Sequence, residues 1–303
     1  MARLCLVIGV VAAAWAATAT AQQQVFRSGT ELVEFGVTVT DRRGNFVTDL
    51  KPDDVEVFED GVPQKIQLFV RGDEAESAPD LHVGLLFDTS GSMGDDINLA
   101  RSAAIKFLNT LTGAKDMTLV DFDTEIRIAK YEQASFPRMV ERIRARKPEG
   151  ATAMYDALGA YLTGASEDHG RKILVLFTDG GDTRSRTTFS KVMTMVRGSD
   201  VTVYAIGFVQ HQSMSSRAEQ RQVLSQITAE AAGEAFFPTD MKHVEEAYAK
   251  IVKQIEAQYT LGYVSTNTRP DGRWRKVEIR VRRPDLQGAK VQTRKGYFAP
   301  PPP

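Results

Sequence analysis

Cysteine is nearly absent: Cys5 is the single one in 303 residues, so disulfide staples, thiol catalysis and cysteine-ligated zinc have almost nothing to work with. Charge of one sign is lacking as well. The 38 Lys and Arg stand against 39 Asp and Glu, a formal charge of -1, and no global field draws the chain to nucleic acid or an anionic membrane. Common catalytic signatures are missing too. His82, His169, His211 and His243 are scattered, and there is no His-Glu-x-x-His, no Gly-x-Ser-x-Gly and no phosphate-cradling glycine loop with lysine. What remains, 42% hydrophobic and 25% charged residues, is the composition of a globular chain with room for one large domain or two modest ones.

The first 21 residues read separately. Arg3 precedes an uncharged run from Leu4 to Ala17, followed by Ala19-Thr20-Ala21. Basic, apolar and small residues in that order predict a secretory signal cut after Ala21. Fourteen residues at about 1.5 Å each fall short of the roughly 30 Å hydrocarbon core, which argues against a membrane anchor. Cleavage removes Cys5 and leaves a cysteine-free chain with 37 basic and 39 acidic side chains. No second hydrophobic span follows, so the expected product is exported, periplasmic or secreted, without a transmembrane segment.

Hydrophobic periodicity then divides the chain. Val33, Phe35, Val37 and Val39 alternate, and Val55 to Glu59 and Ile66 to Val70 flank Asp60-Gly61 as the arms of a hairpin, with Pro63 marking an edge. Residues 72–80 have linker composition. Beyond them Leu81 to Phe87, Ile173 to Phe177 and Val201 to Phe208 are apolar on both faces, as in a parallel sheet covered by helices. Helical spacing appears over Ile97 to Leu111, Met154 to Leu162 and Val244 to Ile255, and Leu119 to Phe122 with Ile126 to Ala129 reads as an edge hairpin. From Tyr259 to Tyr297 the period returns to two, and Pro300 to Pro303 form an extended tail.

The expected fold class is therefore α/β, a doubly wound, mostly parallel sheet flanked by helices. A β-sandwich built from the N- and C-terminal segments accompanies it, because neither segment alone is long enough to bury a good core. The expected parts are a leader (1–21), a β segment (22–75), the α/β domain (81–258), a second β segment (259–299) that pairs with the first, and the proline tail.

The chemistry sits where strands end, as expected for an open α/β sheet. Asp88-Thr89-Ser90-Gly91-Ser92 follows the first buried strand, Thr152 precedes a helix, and Asp179 ends the Ile173 strand. Carboxylates and hydroxyls at one edge are hard oxygen donors suited to Mg²⁺ or Mn²⁺. Taken alone, Asp-x-Ser-x-Ser also occurs in helix-capping turns.

From roughly Leu81 to Gln258 the chain resembles a von Willebrand factor type A domain. Asp88, Ser90, Ser92, Thr152 and Asp179 match the five positions of that domain's metal-ion-dependent adhesion site. Phe122-Asp123-Thr124, Gly150 to Ala157 and Thr178-Asp179-Gly180 stand in family order, and the flanks resemble a bacterial group of exported proteins related to that domain. The resemblance implies that the hydroxyls of Ser90, Ser92 and Thr152 touch the metal, while Asp88 and Asp179 act partly through water and orient them. An ion held that way stays electrophilic enough to accept an acidic side chain from a protein partner.

Neighbouring residues receive plainer readings. Asp121, Asp123 and Asp182 are expected to be solvated loop carboxylates and Asp156 to support its helix N-terminus. The ten basic residues among thirteen charges from Arg269 to Lys295 read as a solvated sheet face, and Trp274 and Tyr297 as sandwich core. The functional expectation is a non-enzymatic adhesion or assembly module, with no nucleic acid partner. The alternatives are an envelope-assembly protein whose ion only staples loops, and a metal-assisted hydrolase using Asp182 or Asp123 as base.

Overall fold

The computed structural model describes residues 32–74, 78–111 and 113–302, so the expected leader lies outside the described residues. Four strands open the described chain: β1 (Leu32–Thr40), β2 (Val55–Glu59), β3 (Val62–Gln64) and β4 (Ile66–Arg71). The α/β segment runs β5 (Leu81–Asp88), α1 (Ile97–Thr110), β6 (Ala114–Phe122), β7 (Ile126–Glu132), α2 (Phe136–Ala145) and α3 (Met154–Ala165). It continues with β8 (Arg171–Thr178), α4 (Phe189–Gly198), β9 (Thr202–Gly207), α5 (Met214–Glu230), β10 (Ala235–Phe236) and α6 (Met241–Ala257). The chain closes with β11 (Tyr259–Val264), β12 (Trp274–Val281), β13 (Lys290–Gln292) and β14 (Gly296–Phe298).

The central sheet has the order β10-β9-β8-β5-β6-β7 and is parallel except for the edge strand β7, which turns back on β6 as the hairpin pattern predicts. Every residue of β5 is buried, because helices cover both faces. On one side α1 and α6 pack Phe107, Leu108, Tyr248 and Ile251 against Leu85, Phe87 and Phe177. On the other, Leu158, Leu162, Val192 and Leu224 from α3, α4 and α5 meet Leu86, Leu176 and Val203.

The terminal segments form two four-stranded sheets, β13-β1-β11-β4 and β14-β12-β2-β3, each mixing strands from both ends of the chain. Phe35, Val37, Val57, Leu261, Tyr263, Val277 and Ile279 fill the space between them. Chain entry and exit to the α/β segment are adjacent strands, since β4 pairs antiparallel with β11 from Arg71 opposite Tyr259 to Ile66 opposite Tyr263.

Two local expectations change. Asp60 and Gly61 do make a tight turn at positive φ (49° and 84°), but the partner of β2 is the three-residue β3, with Phe58 opposite Pro63. Pro63 has no N–H to extend a ladder, and Ile66–Arg71 crosses to the opposing sheet. Trp274 is not in the sandwich interior: it stacks edge-on against Phe298 at 5.0 Å and under the Arg197 guanidinium of α4. Tyr297 does face inward, against Phe35.

Inside the sandwich, Glu59 is 2% exposed and accepts hydrogen bonds from Tyr263 (2.8 Å), Tyr297 (2.9 Å) and Ser265 (2.7 Å). A buried carboxylate persists only where its lone pairs are filled. Burial and the carboxylate together push the Tyr297 phenol up to about 12. Tyr263→Phe removes one of these charge-assisted bonds and is expected to cost about 1.5–3 kcal/mol. Urea unfolding checks it, and a loss below about 0.5 kcal/mol contradicts the account.

Candidate metal centre

Asp88, Ser90 and Asp179 are essentially inaccessible (0%, 0% and 1%) and Thr152 is 3% exposed, while Ser92 faces solvent. They occupy the carboxyl ends of the adjacent parallel strands β5 and β8 and the turn before α3. Past β5 the chain is pinned from both sides. Thr89 donates its N–H and hydroxyl to the Phe122 carbonyl (2.7 and 3.0 Å), its own carbonyl accepts from Glu149 N–H (2.9 Å), and Gly91 N–H donates to the Gly150 carbonyl (3.1 Å). Gly150, at φ 74°, is required there because a Cβ would lie 2.6 Å from the Thr124 hydroxyl. The Thr152 carbonyl accepts from Thr183 and Arg184 N–H, closing the ring of loops from the β8 side.

Within the ring, Asp88 Oδ1 accepts from Ser90 N–H (2.9 Å) and Oδ2 from the Thr178 hydroxyl (2.6 Å). Asp179 accepts from Gly181 N–H (3.1 Å) and from Gln212 Nε2 (2.9 Å). The Ser90 and Ser92 hydroxyl oxygens are 3.0 Å apart. Burial, reinforced by the charge of Asp179, pushes the Asp88 carboxyl up to about 7. Burial raises Asp179 as well, partly offset by a Ser92 hydrogen bond.

Among the described residues no lysine or arginine pairs with either carboxylate. Two buried carboxylates with only neutral donors leave uncompensated negative charge beside an exposed hydroxyl. That donor set fits a hard divalent cation: Ser90, Ser92 and Thr152 offer hydroxyl oxygens and the two carboxylates offset the charge. The sequence pattern names Thr178 only as part of the Thr178-Asp179-Gly180 segment, without a role, and does not reach Gln212. Thr178 adjoins Asp179 in the motif and was open to notice, whereas Gln212 arrives from the β9–α5 loop with no local signal.

The neighbouring acids depart from the solvated reading. Asp121 is 1% exposed and held by Arg127 (2.6 Å), Arg142 and Arg146 (2.8 Å). Asp123 is 7% exposed; burial opposes its ionisation, but hydrogen bonds from Arg127 overcome this and keep it below the usual carboxylate range. Asp182 accepts from Tyr155 N–H and from Ser185 N–H and hydroxyl (2.8, 3.1 and 2.7 Å), so it caps α3. Asp156 reaches across to the N–H groups of Arg186 and Thr187 (2.9 Å each), fastening the loop after β8 to α3 rather than capping its own helix.

At the opposite end of the sheet, His82, Asp116 and Asp168 place three more ligand-type atoms within 4.8 Å of one another.

The von Willebrand factor type A domain family model matches residues 82–250. Among solved structures, 61% of the chain aligns with 63% of the D319A mutant of the PilB minor pilin from Streptococcus sanguinis, at TM-score 0.50 and 16% identity. A larger share, 86%, aligns with 49% of the pilus adhesin SpaC from Lactobacillus rhamnosus GG in its open conformation, at TM-score 0.50 and 12% identity. The chain thus spans less than two thirds of either protein, and such identities speak to the fold alone. No curated protein matches.

Asp121→Asn leaves three guanidinium groups around a site without its anion and is expected to destabilise the chain by about 2–4 kcal/mol, somewhat under the range for a fully buried pair because the arginines are partly exposed. Denaturant unfolding measures it; a cost under about 1 kcal/mol rules out the cluster as a brace of the β6–β7 edge.

Proposed function

Because the chain belongs to the von Willebrand factor type A domain family, we propose that it is an exported, metal-dependent protein-binding module for adhesion or assembly, and not an enzyme. The observation that carries this reading is the pair of buried carboxylates, Asp88 and Asp179, to which no lysine or arginine among the described residues is paired, with Ser90, Ser92 and Thr152 beside them. Ser90, Ser92 and Thr152 would hold Mg²⁺ or Mn²⁺ through their hydroxyls, and Asp88 and Asp179 would orient them. When bound, the ion supplies one open coordination position for an oxygen ligand. A partner's Asp or Glu suits that position, since the resident carboxylates offset the divalent charge only in part.

Binding rather than turnover is favoured by the state of the nearby acids. Asp123 is committed to Arg127 and Asp182 to backbone and hydroxyl donors of the α3 turn, so neither stands free as a general base. Two solved structures that share the fold are a minor pilin and a pilus adhesin, a setting in keeping with an adhesive or assembly role. No helix among the described residues is long and apolar enough to cross a membrane, and the signal-like leader supports export.

Peptides selected by display against the protein in Mg²⁺ test the proposal. Binders are expected to carry Asp or Glu and to lose at least about tenfold in affinity in chelator, when their acid is made the amide, and against Ser90→Ala. Binders that keep their affinity in chelator and against Ser90→Ala would contradict it.

A further inference from the structure

At the far pole of the sheet, His82 near the start of β5 lies opposite Asp116 of β6 in the strand register. His82 is six residues from Asp88 along β5, roughly 20 Å at about 3.3 Å per residue, so this cluster is separate from the centre described above. His82 and Asp116 are buried at 6% and 7% exposure. His82 Nε2 lies 3.0 Å from the carbonyl oxygen of His169. A carbonyl only accepts, so Nε2 carries the hydrogen and Nδ1 is the nitrogen turned toward the acids. Nδ1 lies 3.0 Å from both Asp116 oxygens. A bare lone pair facing a carboxylate repels it, so a positive centre must lie between them, either a proton or a metal ion. A ring nitrogen fixed by N–H donation to a backbone carbonyl, leaving the other aimed at carboxylates, is the outer arrangement that metal-bound histidines use.

The second acid is Asp168, in the turn between α3 and β8. Lys130 of β7 now bridges the pair, with its ammonium 3.2 Å from Asp116 Oδ2 and 2.7 Å from Asp168 Oδ1. The lysine side chain is 47% exposed and Asp168 26%, so one can leave and the other close in without repacking the core. We infer that His82, Asp116 and Asp168 form a second divalent-cation site, of the Zn²⁺ class, in which Lys130 is the resident cation that the metal displaces.

Charge balances across the exchange. In the lysine-filled form, the Lys130 ammonium and the hydrogen between His82 Nδ1 and Asp116 face two carboxylates. On metal binding the Nδ1 proton is released to solvent, the ammonium swings into water, and a divalent ion replaces the two positive charges. Neither form strands a buried charge. One imidazole nitrogen and two carboxylates, at bond lengths of about 2.0–2.2 Å, are a donor set that favours zinc over magnesium, with a water completing the tetrahedron. The all-oxygen centre at the other pole has the opposite preference. A bound ion would tie β5, β6 and the α3–β8 turn together at the end of the sheet nearer the sandwich strands.

The test titrates Zn²⁺ and Co²⁺ into the untagged full-length chain carrying Asp88→Ala, which disables the five-residue centre and keeps the two readings separable. One equivalent of Zn²⁺ is expected to bind, Co²⁺ to give the visible absorption of a tetrahedral site, and binding to release protons. Asp168→Asn, at a partly exposed position that does not threaten folding, should weaken Zn²⁺ at least about tenfold. Lys130→Met should strengthen it, because no ammonium has to be displaced. Absence of Zn²⁺ binding in the folded Asp88→Ala protein overturns the inference. So does equal affinity in Asp168→Asn, or unchanged or weaker affinity in Lys130→Met.

Discussion

Asp88 and Asp179 leave neighbouring strands at the same edge of the sheet, buried almost completely, and no basic side chain among the described residues is placed to neutralise them. Burial, reinforced by the Asp179 charge, raises Asp88 and burial raises Asp179, disfavouring the ionised forms, so the edge is stable with both ionised only when a cation is supplied. Much of the surrounding architecture keeps those oxygens in place. Thr89 is locked to β6 through Phe122, Gly91 to Gly150, and Thr152 to the loop after β8. Asp182 and Asp156 fasten that loop to α3 from both directions. The flanking acids are spent on this scaffold, which is why they do not compete for a cation.

The charged clusters divide into two kinds. Asp121 and Glu59 are buried acids already satisfied, one by three arginines and the other by three hydroxyls. Their value is in fixing a single arrangement of β6, β7 and α2, and of the two sandwich sheets. The Asp88 and His82 groups differ in kind: the first has no cationic partner among the described residues, and the second is bridged by the half-exposed Lys130. On the proposed reading, the sheet would carry a hard, oxygen-lined position at one pole and a softer, nitrogen-bearing one at the other, both on β5.

Much of this was legible in the residues. Strands apolar on both faces can only be sheltered by helices, so Leu81 to Phe87 and Ile173 to Phe177 announced the parallel sheet, and the polar residues following them marked the edge where the site lies. Alternation of Val277, Ile279 and Val281 with charged neighbours announced the second β segment. The remainder depended on contacts between distant residues. Burial of Asp121 and Asp123 follows from Arg127, Arg142 and Arg146, which only the β7 hairpin and α2 deliver. The crossing of β4 to the opposing sheet follows from pairing with β11, nearly two hundred residues away. Helix α5 escaped notice because its first turns, Met214 to Gln222, are almost wholly polar and it buries little beyond Leu224 and Ile227. Gln212 escaped because its role exists only once the β9–α5 loop lies against Asp179.

The central claim is that the unneutralised carboxylate edge exists to hold a divalent ion. Isothermal titration of Mg²⁺ and of Mn²⁺ into the folded protein, run beside Asp88→Ala, tests it most directly. The account predicts binding of one ion in the parent and loss of that binding in Asp88→Ala with the fold intact. Failure of either ion to bind the parent, or binding of equal strength in the variant, would contradict it.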